Sequence, residues 1–320
     1  MGTTSSFNQD GVLRTAIGRS WPASDLRPTV ADRPEADVAS GRYWADQRTR
    51  FQLRRNGGAR QAGAGISTSL LSYTEVELKL DGDPTVTTES LLLFEYVPDL
   101  VWVKEHQLSI MGGAIRTRMT VLRLDGGLCV HSPVVIDDST REEIEKFGEV
   151  IALVAPSNCH HLYFTSAQQA FPRARTFGTV DVQRKRKDLR FDEIIGEEPP
   201  SCWAGQMDQV FIGNRVMREV DFLHRASRTL VAVDLVENFS NQTSGTNGVL
   251  RAMMKVLGMW GRPRPAPELR WFTRDREAAR NAIERILAWD FDRAVIAHGD
   301  LLNRSPHDAI REAWRWVLKS

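Results

Sequence analysis

The rhythm of apolar and polar positions changes near residue 90. Residues 1–85 are rich in Arg, Gly, Ser and Ala. They include Arg54-Arg55-Asn56-Gly57-Gly58-Ala59-Arg60 and few apolar runs of regular period. Such a segment cannot bury enough apolar surface to offset its chain entropy. The pattern predicts a flexible or disordered extension over 1–85 and one folded domain over 90–320.

Within the domain, Leu100-Val101-Trp102-Val103 reads as a short strand, and Thr117–Leu124 alternates as a half-buried strand does. Asp125-Gly126-Gly127 is a hairpin turn, because glycine accepts positive φ cheaply, and Leu128–His131 is the return strand. Ser139 can cap a helix running through Phe147, with Glu142 and Glu143 in its first turns. Val150–Val154 is a continuous apolar run bounded by Pro156, which suits a strand buried on both faces.

The second half repeats this grammar. Val220–His224 and Thr229–Val233 read as paired strands around Arg225-Ala226-Ser227. Helical spacing covers 248–260, Asp275 caps a further helix, Asp292–Ala297 is a strand, and 306–318 is a closing amphipathic helix. Strand hairpins followed by strand–helix alternation, twice over, predict sheets covered by helices.

Composition narrows the function classes. Apolar residues are 42% and charged residues 26% of the 320, ordinary for a globular chain. A net charge of +1 gives no long-range reason to expect nucleic acid or an anionic membrane as partner. The three cysteines (Cys129, Cys159, Cys202) form no C-x-x-C pair, which argues against a disulfide framework or a cysteine zinc site. A reducing interior, cytoplasmic or organellar, is the expected compartment. No apolar run reaches the ~18 residues of a membrane span, and the N-terminus lacks the pattern of a secretory signal. Gly2 and Ser6 match the loose myristoylation pattern. Asp25, Asp32, Glu35 and Asp37 weigh against an Arg-rich transit peptide.

Three expected strand ends each present a metal-ligand type: His160-His161 after Val150–Val154, Asp234 after Thr229–Val233, and His298-Gly299 after Asp292–Ala297. Sites in open sheets gather at the carboxyl ends of strands. Imidazole and carboxylate suit zinc or iron(II), and a catalytic site needs about three protein ligands and an open position. Singly, each has a plainer reading: polar packing for the histidine pair, a turn former for Asp234. His131 and Ser132 are placed to orient a ligand histidine or to form an ordinary strand-end polar pair. His224 reads as a surface residue and Arg184-Lys185-Arg186-Lys187 as a solvated loop. Trp102, Trp203, Trp260, Trp271, Trp289, Trp314 and Trp316 read as core or core margin, and no glycine-rich phosphate loop follows a strand.

This order of segments resembles the metallo-β-lactamase superfamily, and within it the branch termed domain of unknown function 4336. The resemblance rests on Asp99–Val103, Arg118–Leu124, Gly127–Pro133, Ala155-Pro156-Ser157-Asn158-Cys159-His160-His161-Leu162-Tyr163, Phe222–Leu230, and Ala288–Asp292 running to Ala297-His298-Gly299. It covers 90–320 and implies an αββα four-layer sandwich with the site at one edge of its two sheets. The superfamily's active members carry H-x-H-x-D-H in the loop after the buried strand. Laid on that pattern, the first two histidines fall on Pro156 and Asn158, the aspartate on His160 and the last histidine on His161. Proline binds no metal and an amide is a poor zinc ligand, so the first-metal site is expected to be lost. The resemblance implies a single divalent ion, zinc or iron, on His161, Asp234 and His298, with His160 as a fourth ligand or as the catalytic base.

The reading is a metal-dependent hydrolase-like protein acting on an undefined small-molecule substrate. Two alternatives stand beside it: a non-catalytic binding or scaffold protein that has lost the metal, and a mononuclear iron oxidoreductase.

Overall fold

The computed structural model describes residues 92–110 and 113–319. The expected extension over 1–85 lies outside the described residues.

Seven strands form the first sheet in chain order: β1 (Phe94–Val97), β2 (Val101–Ile110), β3 (Gly113–Leu124), β4 (Gly127–His131), β5 (Val150–Ala155), β6 (Arg175–Gly178) and β7 (Glu193–Ile194). β1 to β4 pair antiparallel, and β4 to β7 parallel. Parallel neighbours need crossovers, supplied by α1 (Asp138–Glu145), α2 (Phe164–Ala170) and α3 (Val180–Lys185). The second sheet has the order β11-β10-β9-β8, from β8 (Met207–Gly213), β9 (Arg218–His224), β10 (Thr229–Val231) and β11 (Arg293–Val295). Between β10 and β11 run α4 (Gly248–Val256), α5 (Pro267–Phe272) and α6 (Arg276–Leu287), and α7 (Pro306–Ala313) and α8 (Arg315–Leu318) close the chain.

Side-chain alternation divides the apolar residues among three layers. Val101, Val103, Leu122, Val154, Val220, Phe222 and Val231 pack between the sheets. The opposite faces of the first sheet's strands, Trp102, Met119, Val121 and Leu153, meet Ile144 of α1, Phe164 of α2 and Val182 of α3. On the far side, Val210, Leu223 and Leu230 meet Ile283 and Ile286 of α6 and Ile310 of α7. The result is an αββα four-layer sandwich: the sheets covered by helices that the pattern predicts, in the layering that the resemblance implies.

The local differences have physical reasons. β3 is buried almost throughout, not half-buried, because the second sheet covers one face and the helices the other. Its polar Arg118 is buried too. Helix α1 starts two residues earlier than expected: Asp137 accepts from the Thr140 amide at 2.8 Å, while Ser139 donates to Asp137. The closing helix breaks at Trp314, which is fully buried and donates its indole N–H to the Leu235 carbonyl at 2.9 Å. β8 was not anticipated. Gln209 interrupts its apolar pattern but is buried, taking the Trp203 indole N–H at 3.1 Å and donating to the Gly196 carbonyl at 2.8 Å. Asp275 caps α6 as expected, accepting from the Ala278 amide at 2.9 Å.

Candidate metal centre

Beyond β5 the chain turns sharply through Pro156–His161. The Pro156 carbonyl accepts from the Val220 amide at 3.0 Å. Ser157 Oγ accepts from the amides of Cys159 and His160 at 3.0 and 3.3 Å, a hydroxyl-closed turn of the kind serine favours. Asn158 gives its amide N–H to the Val216 carbonyl at 2.9 Å and takes the Arg218 amide at 3.3 Å. Its side chain therefore ties this loop to the β8–β9 hairpin.

His160 carries its Nδ1 2.9 Å from Ser132 Oγ. Ser132 follows β4, is buried, and holds a left-handed φ of 51°, a conformation that costs a non-glycine residue energy. Asp234 lies three residues past β10, its amide donating to Glu219 Oε2 at 2.8 Å and its carbonyl accepting from the Ala266 amide at 3.0 Å. His298 lies three residues past β11, its Nδ1 2.9 Å from the Arg116 carbonyl of β3. Gly299 follows with φ 80°, and a Cβ there would fall 2.2 Å from the Asn238 carbonyl oxygen, so both backbone conformation and close approach demand glycine.

These supports gather His160, Asp234 and His298, with one ligand atom of each within 4.8 Å of the others. His160 Nε2 is 3.3 Å from Asp234 Oδ2, and His298 Nε2 is 3.6 Å from Asp234 Oδ1. The two rings tilt at 54° with centroids 5.2 Å apart. His298, at 13% side-chain exposure, is the most open of the three.

The hydrogen bonding fixes one tautomer. A carbonyl can only accept, so His298 carries its proton on Nδ1, and the Nε2 of the neutral ring turns a lone pair to Asp234. Burial lowers the His298 pKa to about 4, although the Asp234 carboxylate pulls the other way. Burial would raise the Asp234 carboxyl, but the neighbouring His160 outweighs it and holds it below the ordinary carboxylate value. An imidazole lone pair and a carboxylate thus face each other, and Asp234 Oδ2 is buried without a hydrogen bond among the described residues. Two imidazoles and a carboxylate fit a divalent zinc or iron ion.

His161 lies outside this group. Its Nδ1 is 3.2 Å from Arg186 Nη1, which also reaches the His161 carbonyl at 3.4 Å. Burial, Lys185 and Arg186 lower its pKa to about 4. The basic run is exposed at Arg184, Lys185 and Lys187, as a solvated stretch is, but Arg184 and Lys185 end α3, and Lys185 and Arg186 are engaged. Lys185 donates to the Asn158 carbonyl at 2.8 Å, so Lys185 and Arg186 grip the histidine loop from outside. His224 is buried rather than on the surface: Nε2 reaches the Arg123 carbonyl at 2.8 Å, and Nδ1 lies 2.7 Å from Ser227 Oγ. Trp271 is 55% exposed and packs no core. Of the strand-end polar pair, Ser132 meets His160. His131 sets its ring edge-on to Phe222, with Nε2 buried and unpartnered among the described residues. Sequence reasoning missed Glu219, Arg116 and Arg118, which lie in strands where polar residues ordinarily mark the solvent face.

No protein-family model and no curated protein matches the chain. Solved structures do. A metallo-β-lactamase from Pontibacter korlensis superposes with TM-score 0.50 at 12% identity, covering 71% of this chain and 99% of its own. VMB-1 superposes with TM-score 0.51 at 12% identity, covering 72% of this chain and 98% of its own. The chain has the metallo-β-lactamase fold, with a His/Asp cluster suited to a metal. At this identity the likeness concerns the fold alone.

Proposed function

We propose that the chain is a metal-dependent hydrolase-like protein whose single divalent ion is held by His160, Asp234 and His298. The observation that carries this reading is the convergence of the three donor groups, with His298 Nε2, the ring nitrogen left without a proton by the Arg116 carbonyl, directed at the Asp234 carboxyl group.

A divalent ion, when bound, supplies Lewis acidity toward a carbonyl or phosphoryl oxygen and acidifies water. The chain's own residues set the geometry. Arg116 directs His298 through its carbonyl, Ser132 directs His160, and Glu219 fixes the Asp234 backbone. Partners of this kind commonly govern metal affinity. Both His160 nitrogens face partners, so His160 fits the role of ligand better than that of free catalytic base. A second metal is not expected, since Asn158 is committed to the β8–β9 hairpin and Pro156 offers no donor.

A set of two histidines and one carboxylate also suits iron(II), which supports a second reading, a mononuclear iron oxidoreductase. Because one scaffold hosts many chemistries, the fold does not supply the substrate. Elemental analysis of protein purified without chelator tests the proposal. About one zinc per chain, with hydrolysis of some member of an ester and phosphodiester panel, supports the first reading; about one iron supports the second. No metal, and a melting temperature unmoved by chelator or added ions, overturns both and leaves a scaffold protein.

A further inference from the structure

Arg118 of β3 is 6% exposed, and its guanidinium spans the gap between the sheets. Nη1 donates to the Ile296 carbonyl at 3.0 Å, and Nη2 to the Gly299 carbonyl. These carbonyls bracket His298 on both sides. Glu105, directly opposite on β2, takes Arg118 Nε at 2.8 Å and Nη2 at 2.7 Å, and accepts from Arg116 Nη1 at 2.6 Å. The backbone of Arg116, two residues before Arg118 on the same strand, supplies the carbonyl that fixes the His298 ring.

We propose that Arg118 is a positioning residue for His298: its fork grips the backbone on both sides of the histidine and holds Nδ1 on the Arg116 carbonyl and Nε2 toward Asp234. This rests on the metal reading above but concerns a separate property, the ring's orientation. A residue that only stapled the sheets would need one anchor on the second sheet. Arg118 instead takes two carbonyls three residues apart, a geometry that a planar guanidinium matches and a lysine ammonium does not. The charge is held by Glu105, so the fork is fixed before any ligand arrives.

The test uses the full chain. Nitrogen-15 histidine NMR of the metal-free protein reads the His298 tautomer, and cobalt(II) titration against a competing chelator reads affinity. In the parent, His298 is a single Nδ1–H tautomer. Arg118→Lys keeps a cooperative melt, shows His298 as a mixture of tautomers, and binds cobalt at least about tenfold more weakly, the scale usual for partners that orient a ligand. If Arg118→Lys does not fold, Glu105→Gln, which frees the guanidinium but spares both carbonyl bonds, shifts both readouts in the same direction by less. A folded Arg118→Lys with one tautomer and cobalt affinity within about twofold of the parent overturns the proposal; so does an unchanged Glu105→Gln where the lysine variant cannot be measured. A parent that takes up no cobalt defeats the metal reading, and the tautomer measurement still decides the role of Arg118.

Discussion

His298 Nε2 faces Asp234 Oδ1 at 3.6 Å while the other nitrogen of the ring is tied to the Arg116 carbonyl. The ring cannot turn its N–H toward the carboxylate without giving up that carbonyl. Two electron-pair donors are therefore held face to face in a buried place, an arrangement that a cation relieves.

Removing the carboxylate should abolish that relief. Asp234→Asn is expected to lower divalent-metal affinity by more than the ~10–100-fold typical of partners that merely orient a ligand. Chelator competition measures this. Retained parental affinity refutes the ligand assignment.

Ser132 allows stability and binding to be separated. Its φ of 51° suits glycine, and its Oγ meets His160. Ser132→Gly should therefore leave stability level or raise it, by up to about 1 kcal/mol, since glycine adopts this φ freely. The same variant should weaken metal binding by roughly tenfold. Urea unfolding and metal titration on one preparation check both halves. Affinity equal to the parent's means the hydroxyl does not orient His160.

Rebuilding the lost ligand should fail. Asn158→His removes two hydrogen bonds to the β8–β9 hairpin, at a cost of about 1–3 kcal/mol, and metal content should stay at one ion per chain. Two ions in the variant would show that the loop is freer than its hydrogen bonds indicate.

Gly299→Ala should be among the most damaging single changes near the site. The added Cβ would lie 2.2 Å from the Asn238 carbonyl at a φ of 80°. A loss of about 2 kcal/mol or more is expected. Denaturant midpoints decide it, and a shift of a few tenths of a kcal/mol would be too small for so close an approach.

The pH dependence of stability has a defined sign. Burial, followed by the neighbouring His160, lowers the His131 pKa from 6.5 to about 3. Between these values the unfolded chain holds a proton that the folded chain refuses. The contribution is fully present above pH 6.5 and is lost as pH falls toward 3, at about 1.4 kcal/mol per pH unit. His131→Phe keeps a ring against Phe222 but cannot titrate, so its stability should fall less steeply than the parent's from pH 6 to pH 4. Parallel curves would place the ring in a wetter setting.

The sequence by itself determined the elements with strong local signals. Val150–Val154, the glycine turn after Leu124, the Asp275 cap and the placement of His160, Asp234 and His298 beyond strands were legible because period, turn chemistry and chain order are local properties. Only the tertiary structure decided which donors meet. His160 and His161 are adjacent and chemically equivalent in the sequence, yet the Ser157 turn sends His160 toward Asp234 while Arg186 holds His161 outside. Arg118 reads in the sequence as strand polarity, yet it is buried against the backbone on either side of His298, and Glu105 and Glu219 carry no local signal of their roles. Burial without water forces such groups to pair, and those pairings hold the three donors together.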